Sequence, residues 1–222
     1  MRRHSRRRSG GFSLTELVLC SAIFSLLTAL CLLLAVRGFA MFEQSNARQS
    51  LQKDARAIFS WLQRDVGLSN LVRCVVSAQT VEGAAHDTLA VVGMASWQQP
   101  VTSDALGLPA WNSVVVYQST PDGLLFRSYC EASAAGLSVP LVRSEVATAL
   151  QQAVHGSLPY RDRRQLSSSI AHFAVVLDEG RNSAHVDLML RTTTRGVGAD
   201  TQRGEVLQLN SMITPRNTWP RL

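Results

Sequence analysis

The sequence predicts an α+β fold, a long N-terminal helix packed on an antiparallel β-sheet, and three observations carry that prediction. Residues 17–36 contain no charged side chain. Leu51, Ala55, Ile58, Leu62 and Val66 then recur at helical spacing, and no proline occurs before Pro100. Beyond about residue 70 the chain breaks into short β-like segments separated by turn residues.

The chain opens on a basic stretch. Arg2, Arg3, Arg6, Arg7 and Arg8 all precede Gly11, and they account for most of a formal net charge of +6. Without them 17 basic residues face 16 acidic ones, so the rest of the chain is close to neutral. The uncharged run that follows is 20 residues long. At about 1.5 Å per residue it spans roughly 30 Å, the thickness of a hydrocarbon core. Ser21, Ser25 and Thr28 can return their hydroxyls to the preceding helical turn, so they do not oppose insertion. Five arginines before the run, against Arg37 just after it, predict a cytoplasmic N-terminus and an exported body. A secretory signal peptide is the rival reading, but its apolar core would be about 7 to 15 residues long and would end at a small-x-small site. Residues 34–40 offer only a weak site of that kind.

Helical spacing continues beyond the apolar run. Gln52, Lys53, Arg56, Gln63 and Arg64 occupy the faces that the apolar stripe leaves, and Gly67 is a natural stop. One helix is therefore expected from about Ser13 to Val66, roughly 80 Å long at 1.5 Å per residue. Its first half is apolar all round, its second half is amphipathic, and Gly38 near the changeover permits a bend. An amphipathic stripe needs a cover. Expected strands at 71–76, 88–92, 113–118, 124–129, 170–177, 185–191 and 205–213 supply it. Thr120-Pro121-Asp122-Gly123 should close one hairpin, since proline presets φ and glycine accepts a positive φ. Residues 178–182 should close another. Val146, Leu150 and Val154 mark a short helix over 143–154, while 100–109 and 196–204 read as exposed loops.

Of the four cysteines, Cys20 and Cys31 fall in the apolar run, where cysteine behaves as a small hydrophobe. Cys74 and Cys130 fall in the part expected to be exported, where they are candidates for one disulfide; two buried free thiols is the alternative. Chemistry is poorly represented. His4, His86, His155, His172 and His185 are scattered without metal-ligand spacing, and no nucleophile elbow, Walker loop, dinucleotide fingerprint or CxxC occurs. His172 and His185 are candidates to face each other across the second hairpin, which is ordinarily a structural arrangement. The reading is a non-enzyme with no metal and no cofactor.

Gly11-Phe12-Ser13-Leu14-Thr15-Glu16, running directly into the apolar helix, resembles the class III leader of type IV prepilins and type II secretion pseudopilins. The resemblance covers Arg8 to about Val36. A looser similarity extends through Trp61-Leu62-Gln63-Arg64-Asp65-Val66, the hairpin around Gly123, and Thr214-Pro215-Arg216-Asn217, and it points to J-type pseudopilins or W-type minor pilins. Many pilins carry a proline that kinks the membrane helix; this chain has none there.

The resemblance implies a division into a cleavable basic leader over 1–11, a transmembrane and assembly helix over 12–36, its amphipathic continuation over 37–67, and an exported β-rich globular domain over 68–222. It implies cleavage by a prepilin peptidase between Gly11 and Phe12, and N-methylation of Phe12. Glycine suits that place physically, because a residue without a side chain lets a protease approach the backbone. The resemblance also implies that Glu16 is an assembly carboxylate. A carboxylate beside lipid is costly unless paired. The partner implied is the terminal amine of a neighbouring mature subunit, with attraction that grows as the dielectric falls. Expected partners are the peptidase, other pilin or pseudopilin subunits, the inner-membrane assembly platform and the lipid bilayer. Nucleic acid is not among them, since a near-neutral mature chain has no electrostatic footprint for it. A different class remains open: an unrelated single-pass membrane protein whose outer domain binds a ligand or partner.

Overall fold

The computed structural model describes residues 13–93, 111–195 and 202–216. Its first element, α1 (Leu14–Gly67), is one helix of 54 residues, continuous through Gly38. Ser13 caps it in an extended conformation, and the backbone N–H of Leu68 closes it on the carbonyls of Arg64 and Val66. Leu51, Ala55, Ile58, Leu62 and Val66 are buried, as the spacing predicts. The apolar first half is exposed on every face.

The fold is α+β. Among the described residues ten strands follow α1: β1 (Val75–Ser77), β2 (Thr80–Val81), β3 (Ala84–Ala85), β4 (Thr88–Gly93), β5 (Ser113–Ser119), β6 (Leu125–Glu131), β7 (Asp162–Ser167), β8 (Ile170–Asp178), β9 (Ser183–Arg195) and β10 (Gln202–Ile213). A second helix, α2 (Arg143–Val154), lies between β6 and β7. Pairing is antiparallel, in a five-stranded sheet of order β1-β4-β5-β6-β7 and a three-stranded sheet of order β10-β9-β8, with β2 and β3 forming a small hairpin. The distal half of α1 packs across both larger sheets, and α2 covers the opposite face of the five-stranded one.

Strand periodicity divides the interior into two cores. Leu89 and Val91 of β4, with Val115 and Tyr117 of β5, meet α1 and the three-stranded sheet. Ala90, Val92, Val114 and Val116 meet Val146, Ala149 and Leu150 of α2. Both faces of β4 and β5 are therefore buried, which is why they read in the sequence as unbroken apolar runs. Asp87 fastens the two sheets together. Its backbone N–H donates to the Phe173 carbonyl at 2.9 Å, and its carboxylate accepts from Val175 N–H at 2.9 Å and Gln79 N–H at 3.2 Å.

Both expected hairpins form. Gly123 has φ +81°, and its carbonyl accepts from Ile170 N–H at 2.9 Å, so the tip of the β5–β6 hairpin docks on the start of β8. A Cβ there would approach the Ile170 carbonyl to 3.1 Å, a tight contact added to a backbone conformation that L side chains rarely adopt. In the second hairpin Asp178 pairs with Ser183, and Asn182 takes φ 50°.

Four expectations are corrected, and one strand of the five-stranded sheet was not anticipated. Residues 71–76 do not form one strand: a 3-10 turn, Leu71–Arg73, precedes β1, because the Asn70 side chain accepts from Val72 N–H and caps it. Of the loop expected at 196–204, the last three residues open β10, where Gln202 pairs with Arg195; residues 196–201 and the expected loop at 100–109 lie outside the described residues. The strand β7 escaped because Asp162, Arg163 and Arg164 give it no apolar alternation, which suits an edge strand. His172 faces Met189 and His185 faces Val176, so the two histidines are not opposed. Cys74 and Cys130 are not bonded to each other: both are free and buried, which is the alternative reading. The sheet itself separates them, with Cys74 in the core under α1 and Cys130 in the core under α2.

Candidate functional site

Gly11 and Phe12 lie outside the described residues; the site begins at Ser13. Ser13 and Glu16 form a reciprocal capping box. Glu16 N–H donates to Ser13 Oγ at 3.3 Å, and Ser13 N–H donates to Glu16 Oε2 at 3.0 Å. Two of the orphan donors at a helix start are satisfied at once. The signal was present as Ser-x-x-Glu ahead of an apolar run, and it gives Glu16 a local role besides any pairing between subunits. The carboxylate sits in the first turn, where the positive end of the helix dipole also favours it.

Beyond the cap, an 18-residue window of α1 reaches a mean hydropathy of 2.7 with none of it buried. One helix is therefore long and apolar enough to cross a membrane. Its hydroxyls are turned inward on the backbone: Ser21 donates to the Val18 carbonyl at 2.9 Å, and Ser25 and Thr28 donate to Ser21 and Phe24 carbonyls at 2.8 Å. None needs water as a partner. Exposure continues past the expected span, since Phe39, Met41 and Phe42 are also bare.

No family model, curated protein or solved structure matches this chain. Its function has to be read from its own residues.

The other end of α1 carries a polar cluster that sequence reasoning missed. Arg127 on β6 donates through Nε and Nη2 to the two oxygens of Asp65 at 2.7 and 3.1 Å, and Tyr117 OH donates to Asp65 Oδ2 at 2.5 Å. The guanidinium of Arg127 also lies 4.4 Å from the centroid of the Trp61 ring, and that of Arg64 lies 5.4 Å away. Burial alone would pull the Arg127 pKa down, but the hydrogen bonds and charge of Asp65 outweigh it and hold the group above its ordinary value. Burial, reinforced by the Asp65 charge, pushes Tyr117 well up, so its hydroxyl stays a donor. Only a register assignment across residues 65, 117 and 127 could have found this cluster. Further along the helix, Asp54 accepts from Ser167 Oγ at 2.8 Å.

Where α1 stops, the face of the five-stranded sheet continues, and a groove of about 910 Å³ opens there. Trp61, Arg64 and Asp65 form one wall and the ends of β4 to β7 form the floor. Gly93 and Ser113 meet closely in the lining: a Cβ on Gly93 would approach Ser113 Oγ to 3.0 Å.

The two thiols of the body are buried and favour their protonated form. Burial pushes Cys74 up to about 11, and Cys130 is raised by burial and by the charge of Glu131. Among the described residues no three His, Cys, Asp or Glu side chains gather as a metal site.

Proposed function

We propose that this chain is a minor pilin or pseudopilin: a bacterial structural subunit processed between Gly11 and Phe12 by a prepilin peptidase and methylated at Phe12. In this reading it is held in the inner membrane by a single helix, with a cytoplasmic N-terminus and an exported body. It is then assembled into a type IV pilus or a type II secretion pseudopilus, at initiation or at the tip.

The observation that carries the reading is a coincidence on one helix. The Gly-Phe junction adjoins a capped helix start with a carboxylate at its third position. The same helix is bare for its apolar half and sealed into a β-rich body by its second half. A helix built this way has two uses: it anchors the precursor in lipid, and it offers a bare apolar surface to other helices once extracted. Glu16 would then exchange part of its local cap for the amine of a neighbouring subunit as the two dock.

Glu16→Ala tests this. Membrane insertion should persist, because the span is unchanged, while recovery of the variant in purified filaments should be lost. Recovery at the wild-type level would remove the role assigned to Glu16.

The groove at the far end of α1 keeps the second reading in play, in which a single-pass membrane protein uses an outer domain to bind a ligand. The state of the N-terminus separates the two, since only the first requires its removal.

A further inference from the structure

We propose that the groove at the C-terminal end of α1 binds an extended, carboxylate-bearing peptide segment of a partner protein. The proposal does not depend on filament assembly and would stand in either functional reading.

Unused hydrogen-bonding capacity is the first support. Ser113 is fully buried, yet its Oγ has no hydrogen-bond partner, and the same holds for the Tyr129 hydroxyl. The two hydroxyls are close enough to engage each other, but such a contact uses only one of their two protons, so one O–H is left without an acceptor. A buried O–H left without an acceptor forfeits its hydration for nothing, so the pair calls for an acceptor from outside. Both line the groove.

Charge is the second. Three of the four guanidiniums along the groove are matched: Arg127 with Asp65, Arg161 with Glu131, and Arg164 with Asp162. Arg64 has no carboxylate partner among the described residues, and it stands exposed at the wall beside Trp61. The lining thus presents one uncompensated cation over two hydroxyls. That set suits a chain of carbonyl acceptors carrying a carboxylate.

Shape and aromatic chemistry decide against other ligands. The volume is at the upper end of the roughly 300–1,000 Å³ typical of small-molecule sites, and the floor runs across the ends of four strands, as an extended segment needs. A sugar would want a free aromatic face. Trp111 is buried in the core under α2, and Trp61 already carries the guanidiniums of Arg127 and Arg64 against its ring. A nucleic acid would need a run of unpaired cations along its phosphates, and the lining offers Arg64 alone.

The test uses the full chain in lauryldimethylamine oxide micelles and fluorescence anisotropy of a fluorescein-labelled Gly-Ser-Glu-Ser-Gly-Glu-Ser-Gly peptide. Saturable binding is expected, and replacing both glutamates by glutamine should weaken it about tenfold, the scale of one charged contact. Arg64→Glu should weaken it by at least about the same factor. Arg163→Glu is the control, because Arg163 belongs to the same sheet but stacks on Phe126 and Tyr160, away from the groove; it should leave binding unchanged. Absence of saturable binding, equal binding of the glutamine peptide, equal weakening by Arg163→Glu, or binding of maltotriose in place of the peptide would each overturn the proposal.

Discussion

Asp65 holds the end of α1 to the sheet through a carboxylate that is 9% exposed, against an Arg127 side chain that is 11% exposed. A buried ion pair is not strongly stabilising in itself, because desolvation offsets most of the attraction. Breaking it from one side is another matter. Asp65→Ala leaves the guanidinium and the Tyr117 hydroxyl without their acceptor, and should cost about 3–5 kcal/mol of unfolding free energy. The pair Asp65→Leu with Arg127→Met removes both charges and should cost less than Asp65→Ala alone. Denaturant unfolding of the three proteins checks this, and a double variant no more stable than the single one would contradict it. Asp87 follows the same logic, since it is buried and its carboxylate holds Val175 of the three-stranded sheet and the Gln79 backbone.

At the scale of elements, a single helix lives in two environments. Between Leu51 and Val66 each fully buried Leu, Ile or Val contributes about 1.5–3 kcal/mol, and the stripe falls on the sheets. From Ser13 to Arg37 no side chain is covered by the rest of the chain. Ile58→Ala should therefore lower the stability of the body by about 2–5 kcal/mol. Leu27→Ala, on the same helix, should leave it unchanged. Thermal unfolding followed by near-ultraviolet circular dichroism reports the difference, and equal losses at the two positions would deny the division. The helix was legible to within a residue at each end because its signals are local: an uncharged run, periodicity at four and three, Gly67 as a stop. The strands β4, β5, β6, β8, β9 and β10 were legible for the same reason. The strand β7 was not, because its pairing with β6 is decided by a neighbour distant in sequence and by its position at an edge. The separation of Cys74 from Cys130 was hidden likewise, since sequence alone does not say on which face of a sheet each thiol falls.

For the molecule as a whole, the arrangement places a bare apolar rod at one end of α1 and a groove with unspent hydrogen-bond donors at the other. The Ser13–Glu16 cap stands in the sequence as Ser-x-x-Glu, because a cap is set by residues in a row. The groove was not readable there, since it is assembled from α1 and the ends of β4, β5, β6 and β7, elements far apart in the chain. In the proposed function the rod serves insertion and assembly, and the body governs what is contacted outside.

If the chain is a processed subunit, the mass of its N-terminal peptide shows it most directly. Expressed with a prepilin peptidase and recovered from the membrane, the chain should begin at Phe12 with one methyl group on its amine, and a Gly11→Leu variant should retain the arginine leader. An intact leader on the wild-type chain under those conditions would contradict the proposed function.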